Sequence, residues 1–234
     1  MSMFVWDGSA WVSVQSVRVW DGTQWLARNP YYWDGGAWKP EDNPYSPGSL
    51  RTDVTLSWSV AAPTPAGSWH TQTKTFNATF GQSYKSNGSV NTYTSNLMQG
   101  YYSSTNGNQK SLCGFSVTGI PSGATVTDAK LVLTASQWYY NAGGTAVIGT
   151  HNKTSAPSTW TSSGVNDDRF RSTFSGTGTK TIDVSNTIGQ EFVAGTSKGF
   201  VFGPAPSNSL DYYGGFVRTG SDRPVLKLTY KWFA

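Results

Sequence analysis

Two histidines, His70 and His151, and one cysteine, Cys113, are the only nitrogen and sulfur bases of the chain suited to metal ligation or nucleophilic chemistry. A metal centre needs several converging ligands, and neither histidine has a second histidine, a cysteine or a spaced carboxylate near it. His151, in Gly149-Thr150-His151-Asn152, reads as a hydrogen-bonded residue of a loop or strand end. Serine is abundant, yet no G-x-S-x-G nucleophile elbow occurs, so no Ser-His-Asp triad is indicated. Glycoside hydrolysis needs two carboxylates about 5–10 Å apart. The only adjacent acidic pair in the second region is Asp167-Asp168, and neighbours on a strand point to opposite faces. The pair reads as a solvated turn beside Arg169 and Arg171, with calcium ligation through oxygen as a second reading. The expectation is a protein that is not an enzyme, with no catalytic residue, no metal and no cofactor.

Binding chemistry is better represented. Trp138-Tyr139-Tyr140-Asn141 follows directly on an alternating strand and precedes Ala142-Gly143-Gly144. Asp211-Tyr212-Tyr213 precedes Gly214-Gly215, and Tyr101-Tyr102 follows Gly100. Aromatic rings in loops stack on the apolar C–H faces of sugars, and adjacent Asn, Asp and Arg groups bond the hydroxyls. Trp138, Tyr139, Tyr140, Asn141, Asp211, Tyr212 and Arg218 are the candidate glycan-binding residues. The competing reading is that one residue of each pair is core, and it is favoured for Tyr213 and Trp160.

A different pattern occupies the first 39 residues. W-D-G-x-x-W begins at Trp6, Trp20 and Trp33, and its second tryptophans are Trp11, Trp25 and Trp38. Each copy predicts a tight β-hairpin. With Gly8-Ser9, Gly22-Thr23 and Gly35-Gly36 as loop residues, glycine supplies the positive φ of a type II′ turn, and the two tryptophans of each copy face one another. A turn on Asp-Gly is the alternative and breaks that pairing. Isolated hairpins are marginal in water, so three of them need each other, sister subunits or a partner. The six tryptophans are therefore candidate assembly contacts.

These groups must be held by elements, and the composition says which kind. Aromatics are 15% of the 234 residues and charged residues 13%, with 26 glycines. Such a chain is neither disordered nor a helical bundle; it reads as all-β with many turns. Residues 39–51, KPEDNPYSPGSLR, carry three prolines and form a linker. The expected domains are a hairpin-repeat module over 1–45 and a jelly-roll β-sandwich over 46–234. Within the second, Ala129, Leu131, Leu133 and Ala135 alternate onto one face, as do Leu226, Leu228 and Tyr230. Gly199-Phe200-Val201-Phe202-Gly203 reads as a strand buried on both faces. Further strands are expected at 52–60, 73–80, 112–118, 145–150, 180–184 and 213–218. One short helix is expected over 185–194, with Ile188, Phe192 and Val193 as its apolar stripe.

Seventeen Lys and Arg against thirteen Asp and Glu give a net charge of +4. No basic cluster exceeds Arg169 and Arg171, so nucleic acid is not an expected partner. No 18-residue apolar run occurs, and no membrane partner is expected. The segment MSMFVWDG lacks the basic and apolar parts of a secretory signal, which leads to an expectation of synthesis in a cytosol.

The stretch Ile120-Pro121-Ser122-Gly123-Ala124-Thr125-Val126-Thr127-Asp128-Ala129-Lys130-Leu131-Val132-Leu133 resembles the central signature of DNRLRE-type jelly-roll domains, which are carbohydrate-binding-module-like sandwiches. Ser111–Phe115, Thr159-Trp160, Thr181–Val184, Lys198–Phe202 and Arg223–Tyr230 resemble further pieces in the family's order, over roughly residues 70–234. The name-giving motif itself is absent. The W-D-G-x-x-W repeats resemble those at the front of minor tail proteins of phages that infect actinobacteria. The resemblance implies a virion component of the tail tip or baseplate, made in the host cytoplasm. Its expected partners are other tail proteins, a host-surface polysaccharide and copies of itself, as a trimer. The alternatives are a structural spacer of the tail and a cell-wall glycan hydrolase.

Overall fold

A computed structural model of the chain describes residues 4–6, 11–13, 17–20, 25–28, 31–33, 36, 38–40 and 67–234. The chain divides into two compact units, Met1–Pro63 and Thr64–Ala234. The expected boundary between 45 and 46 and the expected strand at 52–60 lie outside the described residues.

Among the described residues of the first unit, six short strands pair as three antiparallel couples. These are β1 (Phe4–Trp6) with β2 (Trp11–Ser13), β3 (Val17–Trp20) with β4 (Trp25–Arg28), and β5 (Tyr31–Trp33) with β6 (Trp38–Pro40). The backbone register sets Trp6 opposite Trp11, Trp20 opposite Trp25 and Trp33 opposite Trp38. The turns on which the two proposed registers differ lie largely outside the described residues.

The described residues of the second unit, 67–234, are all-β apart from one α-helix and one short 3-10 turn, and every strand pairing among them is antiparallel. Its strands are β7 (Trp69–Tyr84), β8 (Leu97–Tyr101), β9 (Asn108–Phe115), β10 (Thr125–Trp138), β11 (Gly144–His151), β12 (Val165–Phe174), β13 (Gly178–Val184), β14 (Gly199–Phe202), β15 (Gly214–Phe216) and β16 (Val225–Phe233). The hydrogen-bonded order is β12-β11-β14-β9-β7-β16-β10-β15-β8, with β13 also on β10. Two strands, the long β7 and the short β8, each pair with more than one neighbour along their length. The first half of β7 pairs with β16 and its second half with β9, with a register shift between Ala78 and Phe80. β8 pairs with β15 and then, at Gly100 and Tyr101, with β9. The order of pairings thus closes on itself between β8 and β9, and the buried residues form one large cluster and a smaller one of Tyr84, Leu112 and Val201.

Alternation builds the large cluster. Ala129, Leu131, Leu133 and Ala135 of β10 and Leu226, Leu228 and Tyr230 of β16 are buried. They meet Cys113, Phe115, Ile148, Phe200 and Phe202 of the other layer in one cluster. A buried aliphatic side chain contributes about 1.5–3 kcal/mol, a large share of a domain's net 5–15 kcal/mol. α1 (Asn186–Ala194) packs on β10 where Gly189 lies against Val126 and Ala129, while its Phe192 meets Phe115 and Phe200. The Ser185 hydroxyl caps it by accepting from the Ile188 N–H at 3.3 Å.

The segment read as a turn at Asp167-Asp168 is instead part of β12. Ile148 lies opposite Phe170 and Thr150 opposite Asn166, so the chain bulges between them. Asp168 takes φ 50° there, a conformation that Asp adopts more readily than most residues. Its carboxylate grips Arg171, with Nε donating to Oδ1 at 2.8 Å.

Candidate aromatic binding surface

Four tyrosines from three segments form a continuous group. Tyr102 follows β8, Tyr139 and Tyr140 follow β10, and Tyr213 precedes β15. Ring centroids are 4.8 Å apart for Tyr102 and Tyr213, 6.3 Å for Tyr102 and Tyr139, and 4.9 Å for Tyr139 and Tyr140. Tyr102, Tyr139 and Tyr140 are 47%, 46% and 46% exposed, so about half of each ring system faces solvent. Tyr213 is half-buried beneath them. Burial pushes its phenol above the usual tyrosine range, against hydrogen bonds to Gln109 and Gln137.

The backbone under this group is tightly fixed. Fully buried Gln99 of β8 donates through Nε2 to the carbonyls of Thr145 and Tyr212, both at 2.8 Å. Its Oε1 accepts from the Val147 N–H at 3.1 Å. One side chain thereby joins β8, β11 and the 3-10 turn η1 (Leu210–Tyr212). Gly100, at φ 84°, lets η1 approach: a Cβ there would lie 2.3 Å from the Tyr212 carbonyl oxygen. The Tyr139 N–H donates to the Tyr213 carbonyl at 3.0 Å, and Gly143 N–H to the Tyr140 carbonyl at 3.0 Å closes the β10–β11 turn.

The sequence candidates separate on this frame. Tyr139 and Tyr140 are in the group, and exposed Asn141 shares their turn. Asp211 and half-buried Tyr212 lie in η1 beside Tyr213; Asp211 Oδ2 accepts from the Ser209 hydroxyl at 3.0 Å. Trp138 packs inward, its ring 5.4 Å from Phe174 and 5.7 Å from Phe216. Arg218 lines a separate cleft formed with β7, whose lining includes none of these tyrosines. Tyr102, which the candidate list omits, is part of the surface. Its signal was the Gly100-Tyr101-Tyr102 run.

The groups considered for catalysis are engaged elsewhere. His151 is buried. Its Nδ1 accepts from the Lys153 N–H at 3.1 Å, so in the neutral ring Nε2 carries the proton and donates to the Cys113 carbonyl at 3.0 Å. Burial lowers its pKa to about 4, and pushes the Cys113 thiol up to about 12. Glu191 Oε2 accepts from Arg169 Nη1 at 2.6 Å and from the Ser197 hydroxyl at 2.7 Å. The Arg169 contact holds that carboxylate below its usual range. Trp160 packs edge-on to Tyr84 at 5.3 Å. Among the described residues, no three His, Cys, Asp or Glu converge on one point.

No protein-family model matches the chain, and no curated protein matches it.

Proposed function

We propose that the chain is a minor tail protein of a phage virion, whose second unit is a jelly-roll sandwich that binds host-envelope glycans. The observation that carries the binding reading is the surface of Tyr102, Tyr139 and Tyr140, held on a rigid frame with half of each ring open. Stacking on sugar C–H faces supplies the affinity, and Asn141 and the Tyr hydroxyls supply hydrogen bonds. The tail assignment rests on the W-D-G-x-x-W repeats and the order of the sandwich motifs. In this reading the first unit, through Trp6, Trp11, Trp20, Trp25, Trp33 and Trp38, anchors the protein to tail proteins or sister subunits. Several copies, three in a homotrimer, would raise a weak single-site affinity by about 10²–10⁴-fold.

The test is binding of the labelled full chain to intact bacterial cells and isolated wall polysaccharides. Saturable binding to one envelope type, lost when Tyr102, Tyr139 and Tyr140 are all replaced by alanine in a folded protein, supports the reading. Absence of binding even in a clustered, multivalent form overturns it and favours a structural spacer.

A further inference from the structure

The described part of the second unit has four arginines, and they fall into two classes. Arg169 and Arg171 each hold a carboxylate, Glu191 and Asp168 respectively. Arg218 and Arg223 have neither an ion pair nor a hydrogen bond to any described residue. These two line the same open cleft, of about 370 Å³.

The cleft is a consequence of the fold. At Ala78–Phe80, β7 leaves β16 for β9, and Thr79 is the extra residue of the register shift. The segment 217–224 returns across this corner. It is tied at both ends, by the Val217 N–H on the Thr134 carbonyl and the Ala78 N–H on the Pro224 carbonyl, both at 2.9 Å. Thr79, Phe80, Gly81 and Gln82 form one wall, and Arg218, Thr219 and Arg223 the other. Gly81 gives Arg218 its seat: a Cβ on Gly81 would lie 3.0 Å from Arg218 Cγ and 3.1 Å from buried Leu97. The stem of the guanidinium is thus braced while its head stays uncommitted. Asp222, the adjacent acid, accepts from the Ser221 hydroxyl at 3.3 Å and pairs with neither arginine.

Two unpaired guanidiniums on one cleft match an oxyanion, because each presents a planar fork of donors to paired oxygens. We propose that this cleft is an anion subsite that takes the carboxylate or phosphate groups of an acidic polysaccharide. Arg218 and Arg223 are the charged donors. Gln82, whose Nε2 donates to the Ser83 carbonyl at 3.2 Å, keeps one amide N–H for the ligand, whereas the Thr79 hydroxyl is spent on the Gly114 carbonyl at 3.1 Å. The proposal rests on the glycan-binding reading for the polymer and adds its chemical class. The anion site is also testable without a polymer.

The experiment titrates the full chain with inorganic phosphate and with glucuronate, following the arginine side-chain NMR signals. It then measures binding to a glycerol-phosphate polymer, a uronic-acid polymer and neutral dextran. Variants are Arg218→Gln with Arg223→Gln, Tyr139→Ala with Tyr140→Ala, and, as a charge control outside the cleft, Lys227→Gln with Lys231→Gln. The expected result is saturable shifts of Arg218 and Arg223. Binding of one acidic polymer should fall about ten-fold or more in the arginine variant and much less in the lysine control. Which polymer responds separates phosphate from carboxylate. Equal losses in the arginine and lysine variants, or no saturable arginine shift, overturn the anion subsite. Binding that depends on the tyrosines but not the arginines overturns the subsite and leaves the glycan reading standing. Saturable anion shifts with no polymer bound overturn the polymer part of the proposal and the glycan reading together, leaving a small-anion site.

Discussion

Tyr102 and Tyr213 pack ring to ring at 4.8 Å with their planes tilted by 33°, although one leaves β8 and the other enters β15. The contact follows from Gln99, whose amide links the Thr145 and Tyr212 carbonyls and the Val147 N–H. Replacing Gln99 by leucine keeps the volume close but strands three backbone groups, the buried Val147 N–H and the part-buried carbonyls of Thr145 and Tyr212. Each such group costs about 1–3 kcal/mol. Gln99→Leu should therefore destabilise the protein by roughly 3 kcal/mol or more in urea unfolding, and should also weaken glycan binding by letting Tyr102 drift from Tyr213. Unchanged stability would mean that the amide is not the staple.

Adjacent aromatic residues should behave oppositely. Tyr139→Ala and Tyr140→Ala remove half-exposed rings, and each should change stability by about 0.5 kcal/mol or less while weakening sugar binding. Trp138→Ala removes a ring wedged between Phe174 and Phe216 and should cost about 3 kcal/mol or more. Thermal melting of the three variants, read beside polysaccharide binding, separates surface from core. Equal destabilisation by all three would contradict the division.

That division explains how far the sequence could be read. Strict alternation along β10 was legible, and Leu131 and Leu133 lie in the core where the pattern puts them. The same alternation extended to Trp138 points it outward. A register shift between Ala135 and Gln137 resets the parity, setting Trp138 opposite Gly214, and turns the ring inward. A bulge leaves no mark in hydrophobic periodicity. β12 escaped notice for a related reason: Asn166-Asp167-Asp168-Arg169 has the composition of a turn, and only the pairing with β11 shows it to be a bulged strand. The tyrosine surface was partly legible, because Tyr101-Tyr102 and Tyr212-Tyr213 each adjoin a glycine and Tyr139-Tyr140 shares a turn with Gly143. The meeting of Tyr102 with Tyr139 and Tyr213 depends on long-range pairing that no local pattern encodes. The placing of Arg218 and Arg223 together in the β7 corner, without a partner among the described residues, is likewise a property of topology.

The inward Trp138 also makes Gly214 a constraint. A Cβ at Gly214 would stand 2.4 Å from the indole, at ring atoms that Phe174 and Phe216 prevent from moving away. Gly214→Ala should cost about 1–3 kcal/mol through overpacking. The double variant Gly214→Ala with Trp138→Phe should recover part of that loss, since the smaller ring vacates the contact. Non-additivity of the two changes in a double-mutant cycle is the readout. Strict additivity would place the strain elsewhere.

Acid should act on the fold through His151. Its ring is buried beside Phe80, with Nε2 on the Cys113 carbonyl and Nδ1 on the Lys153 N–H. Both nitrogens are used by the neutral form, and protonation forces Nδ1 to lose its donor and places charge in a dry site. The folded pKa is about 4, against 6.5 for the free side chain. The unfolded chain therefore takes up the proton first as pH falls. Stability is fully present above about pH 6.5 and drains between 6.5 and 4, by about 3 kcal/mol in total. Glu191 and Asp168, both held below their usual range by arginine contacts, lose their contributions in the more acidic range of free carboxylates, so the upper part of the window belongs to His151. Urea midpoints between pH 7.5 and 5 should fall for the natural chain. The His151→Gln variant should be less stable at pH 7.5 yet nearly flat across the same interval. An equal slope in both proteins would assign the acid sensitivity to other groups.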